Sequence, residues 1–303
     1  MMSTMTAAIL CECFARDGLQ HEPACVPTAT KRALIERFAA LGFVRIEATS
    51  YSNPRVVPQF ADASALLKSL SRRAGTHYKA TCANPKAVER ALADLDAGFG
   101  VNEISLLVSA TEAHTQKNLN HTRAEQWANV EEMVKLAGGR FRMVGTVSVA
   151  FGCPFEGKVD PGVVAEDVAR FVSLGVEHVA LGDTTGMATP KSVAAMVQRM
   201  TPKAALIAHF HDTRGTGLVN YVAAYEAGVR FFDSSFGGVG GHPAKVKYGG
   251  GHTGNVCTED LVSLFEAMGI DTGIDPDSLL STARFCEEVL GRELHGRVTR
   301  LVG

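Results

Sequence analysis

A chain of 303 residues, 46% hydrophobic and 20% charged, has the balance of an ordinary globular protein and can bury a core without disulfide staples. Its formal net charge of −2 gives no electrostatic reason to expect nucleic acid or an anionic membrane as partner, and no uninterrupted apolar stretch is long enough to span a bilayer. Seven scattered cysteines with no Cys-x-x-Cys pair argue against a disulfide framework or a structural zinc site. The first residues, 1–8, lack the basic-then-apolar pattern of a signal peptide, so a cytoplasmic location is expected.

Short apolar runs alternate with longer amphipathic ones. In chain order, strands are predicted at 8–14, 44–48, 78–82, 103–108, 142–150, 178–181, 206–211 and 230–234. Helical spacing lies between them at 30–41, 85–97, 160–174, 190–200 and 218–227, and several of these helices end at a glycine (Gly42, Gly98, Gly175, Gly228). Two further helices, 258–268 and 276–290, close the chain. Eight β-strand/helix units imply a (β/α)8 TIM barrel, here one domain over 1–303, with the barrel at about 8–256 and closing helices at about 258–291.

In such a barrel the active site lies at the C-terminal ends of the strands, and polar residues cluster there. Arg16 and Asp17 follow strand one, Glu47 ends strand two, Asp183 follows strand six, His209 and His211 end strand seven, and Asp233 ends strand eight. His209 and His211, two apart on a strand, point to the same face and suit a divalent metal. Plainer readings exist: Asp17 as a helix cap, Glu47 as partner of a core cation, Asp183 as a turn residue, and Asp233 as a brace for the loop that follows. That loop, 237–255, is dense in glycine and is expected to cover the catalytic face. His21, His77, His114, His121, His178 and His295 read as surface or packed histidines.

The ordered motifs Arg16-Asp17-Gly18-Leu19-Gln20, Ile46-Glu47-Ala48-Thr49-Ser50, Leu181-Gly182-Asp183-Thr184-Thr185-Gly186, His209-Phe210-His211-Asp212-Thr213 and Gly254-Asn255 resemble those of the 3-hydroxy-3-methylglutaryl-CoA lyases, metal-dependent lyase barrels. Gly152-Cys153-Pro154-Phe155-Glu156-Gly157 and Thr258-Glu259-Asp260-Leu261-Val262 fit too, and the resemblance covers nearly the whole chain. It implies that Asp17, His209, His211 and Asn255 hold a divalent cation, Mg²⁺ or Mn²⁺, and that His209 also counts among the catalytic residues. It implies that Arg16 faces the thioester oxygen, that Glu47 orients Arg16, and that Asp183 meets the substrate hydroxyl. The implied reaction is a retro-Claisen cleavage of an acyl-CoA substrate, a CoA thioester, to acetyl-CoA and a keto acid; the implied assembly is a homodimer.

The chain departs from that family at one position. The lyases carry a loop cysteine before proline, where this chain has Val239-Gly240-Gly241-His242-Pro243 in a longer loop. His242, with His252 as second candidate, is expected to take over the proton-donor role, since imidazole titrates near neutral pH. Lys245 and Lys247 are weaker candidates for CoA phosphate contacts. The substitution keeps two alternatives open: an aldolase or Claisen-type synthase acting on a 2-keto acid, and an inactive metal-binding homologue.

Overall fold

The computed structural model describes residues 7–241 and 254–301. Eight parallel strands, β1 (Ile9–Glu12), β2 (Arg45–Ser50), β3 (His77–Cys82), β4 (Glu103–Ser109), β5 (Arg142–Ser148), β6 (His178–Asp183), β7 (Ala205–Phe210) and β8 (Phe231–Ser234), pair in sequence order. β8 returns to β1 and closes the barrel. The helices are α1 (Thr28–Leu41), α2 (Ala63–Ser69), α3 (Pro85–Asp96), α4 (Glu112–Leu119), α5 (Arg123–Ala137), α6 (Pro161–Ser173), α7 (Pro190–Arg199), α8 (Gly217–Glu226), α9 (Thr258–Ala267) and α10 (Pro276–Leu290). All eight strands and seven of these helices stand where the sequence pattern puts them; α2, α4 and α5 were not anticipated.

Local chemistry explains the element starts. Asn84 caps α3 by accepting from Ala87 N, with Pro85 in the first turn where its missing N–H costs nothing. Asp160 caps α6, and Thr189 with Ser192 forms a capping box on α7. The main core lies between the outer strand faces and the helices, where Phe38, Phe43 and Phe236 pack in one aromatic cluster.

The barrel interior is divided. Val144, Ala180 and Ile207, with Phe231 against them, form an apolar wall from β5 to β8. The opposite wall is ionic. Arg45 reaches Glu103 at 2.7 Å and Asp233 at 3.5 Å, and Lys79 lies 3.7 Å from Glu47 and 3.6 Å from Asp233. A register shift in the β2–β3 pairing falls between Glu47 and Thr49, and such irregularities re-aim side chains beside active sites.

Candidate active site

β1 stops at Glu12 because its carboxylate takes the N–H groups that would extend the ladder: Oε1 accepts from Phe14 N at 2.9 Å and Phe236 N at 3.1 Å. The chain then makes a π-helical turn, Phe14–Gly18, in which Cys13 O accepts from the amides of Arg16, Asp17 and Gly18. This wide turn brings two successive side chains to one cavity. Arg16 Nη1 lies 2.5 Å from Asp17 Oδ1, and Arg16 Nε lies 3.4 Å from Glu47 Oε1. Glu47 Oε1 also accepts from Thr81 Oγ1 at 2.8 Å, so the guanidinium is held from two sides.

Both histidines are fixed through Nδ1. His209 Nδ1 donates to Asp233 Oδ2 at 3.3 Å, and His211 Nδ1 donates to the Thr184 carbonyl at 2.8 Å. With the proton on Nδ1, the lone pair of each neutral ring resides on Nε2. One ligand atom each from Asp17, His209 and His211 falls within 4.8 Å of the others. β7 ends at Phe210, so His211 stands just past the strand, where it bridges to Asn255. The segment after the glycine loop is laid across the barrel mouth by Asp212 N to Gly254 O (2.8 Å) and Ser235 N to Val256 O (3.1 Å). It delivers Asn255, whose Nδ2 donates to Asp17 Oδ2 (2.6 Å) and Val239 O (3.0 Å). Asn255 Oδ1 is buried and has no hydrogen-bond partner among the described residues. The backbone here is close-packed: a Cβ at Gly240, where φ is +104°, would sit 2.7 Å from Asp17 O and 2.8 Å from Asn255 Nδ2.

Charge sets the protonation states. Burial works against an ionised Asp17, but Arg16, both histidines and the Asn255 bond hold its carboxyl far below the usual range. Asp233 is likewise held low against its burial, by Lys79, His209 and Arg45. Burial pulls His209 down, yet the bond to Asp233 and the charges of Asp233 and Asp17 leave it raised. These groups surround a cavity of about 420 Å³ that Arg16, Asp17, Glu47, His209 and His211 all line.

Asp183 is only 1% exposed and is absent from the cavity wall. Its oxygens accept from Met187 N (2.7 Å) and Ala188 N (3.0 Å), the bonds of a turn residue; burial raises it to about 6 despite those bonds. Among the described residues the Asp233 carboxylate meets His209, Arg45 and Lys79. Lys79, His114 and His121 also line the cavity, which the sequence reading missed. For Lys79 a signal existed, a cation between the buried Tyr78 and Ala80 of a strand. His242, His252, Lys245 and Lys247 lie outside the described residues.

The HMGL-like family model matches residues 7–286. The mitochondrial hydroxymethylglutaryl-CoA lyase of Macaca fascicularis is 38% identical over 289 residues, covering 94% of this chain and 86% of that protein. Hydroxymethylglutaryl-CoA lyase YngG of Bacillus subtilis is 35% identical, covering 93% of each. Among solved structures, an HMG-CoA lyase from Acinetobacter baumannii in complex with coenzyme A and 3-methylmalate superposes with a TM-score of 0.92 at 37% identity, covering 100% of this chain and 97% of that one. A closed barrel, a metal-type cluster at its mouth and likeness along nearly the full length agree: this chain belongs to the HMGL-like family.

Proposed function

We propose that the protein is a divalent-metal-dependent carbon–carbon lyase that cleaves 3-hydroxy-3-methylglutaryl-CoA, or a close 3-hydroxyacyl-CoA, to acetyl-CoA and a keto acid. The observation that carries the reading is the convergence of Asp17, His209, His211 and Asn255 beside Arg16 at the barrel mouth, in a chain related throughout to enzymes named for that reaction.

The donor set fits a divalent cation. The buried Asn255 Oδ1, without a partner among the described residues, the ionised Asp17 and two imidazoles tied through Nδ1 offer mixed oxygen and nitrogen ligands of the kind that suit Mg²⁺ or Mn²⁺. When bound, the cation supplies Lewis-acid stabilisation of negative charge on substrate oxygen.

This chain's residues do the rest. Glu47 keeps Arg16 turned into the cavity and is the carboxylate we assign to take the C3 hydroxyl proton. As the C2–C3 bond breaks, its electron pair passes to the thioester and forms an enolate; Arg16 faces the oxygen where that charge develops. Removing such a donor typically costs about 3–4 kcal/mol of transition-state stabilisation. Protonation at C2 then releases acetyl-CoA, a role we assign on sequence grounds to His242. The test is incubation of purified protein with Mn²⁺ and 3-hydroxy-3-methylglutaryl-CoA, following acetyl-CoA and acetoacetate. Equimolar release that stops on chelation is expected, whereas metal-loaded protein that releases no acyl-CoA product from this or related hydroxyacyl thioesters refutes the reading.

A further inference from the structure

The floor of the cavity is built for more than the carbon skeleton of a methyl-branched substrate. Inward positions of a barrel are ordinarily filled by bulky apolar side chains, as Val144, Ala180 and Ile207 do here. On β3, β4 and β5 the cavity is lined by Lys79, Thr81, Ser105, Thr146 and Ser148, with Leu107 the one apolar side chain among them. Thr81 and Ser105 are opposite one another in the strand register, with their hydroxyl oxygens 3.2 Å apart. Lys79 is 3% exposed, and burial alone disfavours its charge. The charges of Asp233 and Glu47 work against that and hold it above its ordinary value, as an ammonium. Yet Nζ stands 3.6 Å from Asp233 Oδ2 and 3.7 Å from Glu47 Oε1, both longer than a hydrogen bond. The amine is paired by charge, and Lys79 lines the cavity. Buried donors turned on a hydrocarbon surface stay unsatisfied, and a site so built discriminates strongly against the analogue that lacks the acceptor.

The geometry points to Lys79 and Thr146, which line the same cavity from β3 and β5, as specificity-determining residues that bind an oxygen-bearing substituent on the acyl portion of the substrate. Two carboxylates already flank the ammonium, so a neutral hydroxyl fits there better than another anion. This rests on the lyase reading above and narrows its substrate class to 3-hydroxyacyl-CoA thioesters in which a hydroxymethyl group replaces the C3 methyl. The bonds broken and formed are unchanged: C2–C3 cleaves, the hydroxyl proton leaves to the enzyme, and C2 is protonated. The products become acetyl-CoA and 4-hydroxy-3-oxobutanoate.

The experiment compares 3-hydroxy-3-methylglutaryl-CoA with its hydroxymethyl counterpart for the full-length, Mn²⁺-loaded enzyme, for Lys79→Met and for Thr146→Val. The expected kcat/KM preference of the unaltered enzyme for the hydroxymethyl substrate is at least tenfold. Lys79→Met is expected to erase it, and Thr146→Val, which leaves the ion pairs alone, to reduce it at least threefold. A smaller preference in the unaltered enzyme, or a ratio that neither substitution moves, overturns the proposal even if both substrates are cleaved. Failure to cleave either would strike the lyase reading instead. A Lys79 that merely neutralises Glu47 and Asp233 would lower both rates alike and leave the ratio in place.

Discussion

Replacing Asp233 by Asn removes one charge and almost no volume, and isolates what the His209 partner contributes. In the native site Asp233 Oδ2 accepts from His209 Nδ1 at 3.3 Å, and the same carboxylate answers Lys79 at 3.6 Å and Arg45 at 3.5 Å. An asparagine oxygen still offers His209 an acceptor, so the tautomer survives; the charge assistance does not. A hydrogen bond to a charged group contributes about 1.5–3 kcal/mol, which as a binding term is roughly 10- to 100-fold. The same range holds for substitutions behind metal-ligating histidines. Mn²⁺ affinity, measured by calorimetry or electron paramagnetic resonance at pH 7.5, is therefore expected to fall by one to two orders of magnitude. Thermal unfolding of the metal-free protein serves as the folding control. His211→Ala, which deletes a ligand, is expected to lose more than Asp233→Asn does. If Asp233→Asn binds Mn²⁺ within threefold of the unaltered protein, the carboxylate does not act through His209 and its place in the site is wrong.

Three further outcomes follow from the same geometry. Gly240→Ala places a methyl group against Asp17 O and Asn255 Nδ2 at a φ of +104°; turnover is expected to drop at least tenfold with far-UV circular dichroism unchanged, and full activity would show that the loop yields without moving Asn255. Glu103→Gln takes from the buried Arg45 its nearest counter-charge, 2.7 Å from Nη2, and leaves it only Asp233 at 3.5 Å; it is expected to cost about 3 kcal/mol by urea unfolding, whereas the apolar double variant Arg45→Met/Glu103→Leu recovers most of it. Burial lowers His114 from an ordinary 6.5 to about 4, so the unfolded chain takes up this proton first. The contribution is present above pH 6.5 and is lost as pH falls toward 4, by about 2 kcal/mol between pH 7 and pH 5. His114→Phe should remove that part of the pH slope, and equal slopes in both proteins would exclude it.

How far the sequence reached depended on the range of the forces involved. Strand order was legible because alternating apolar runs and amphipathic helices report burial locally. Helix α5 was just as local, with Thr122 and Glu125 forming a capping box, but Gln126 and Trp127 are both buried near the helix start and blur its apolar stripe. Helix α4 carries buried His114 and Thr115, polar residues that an apolar pattern does not register. The candidate metal ligands were named from ordered motifs that resemble a known family, and the fold brings them together. Their tautomers were not, since these depend on acceptors far away in sequence: Thr184 for His211 and Asp233 for His209.

The two aspartates that follow strands show where such reading fails in principle. Asp183 ends β6 and Asp233 is the last residue but one of β8, both on the catalytic side, and both are buried. What separates them is the direction of the next few backbone amides. After β6 the chain turns back so that Met187 N and Ala188 N point at Asp183 and consume its oxygens. After β8 it runs on into the turn at Phe236–Gly238, whose first two amides are taken by Glu12 and Glu259 and whose third donates to Ser235 O. Asp233 is thereby spared for His209 and Lys79. The ionic wall has the same origin. A cation at position 79 reads as an anomaly on a strand until Glu47 and Asp233, contributed by β2 and β8, are placed 3.7 and 3.6 Å from it. Closing the barrel turns that anomaly into a charged floor beside the metal-type cluster, and the proposed choice of substrate rests on that floor rather than on the His-x-His pair.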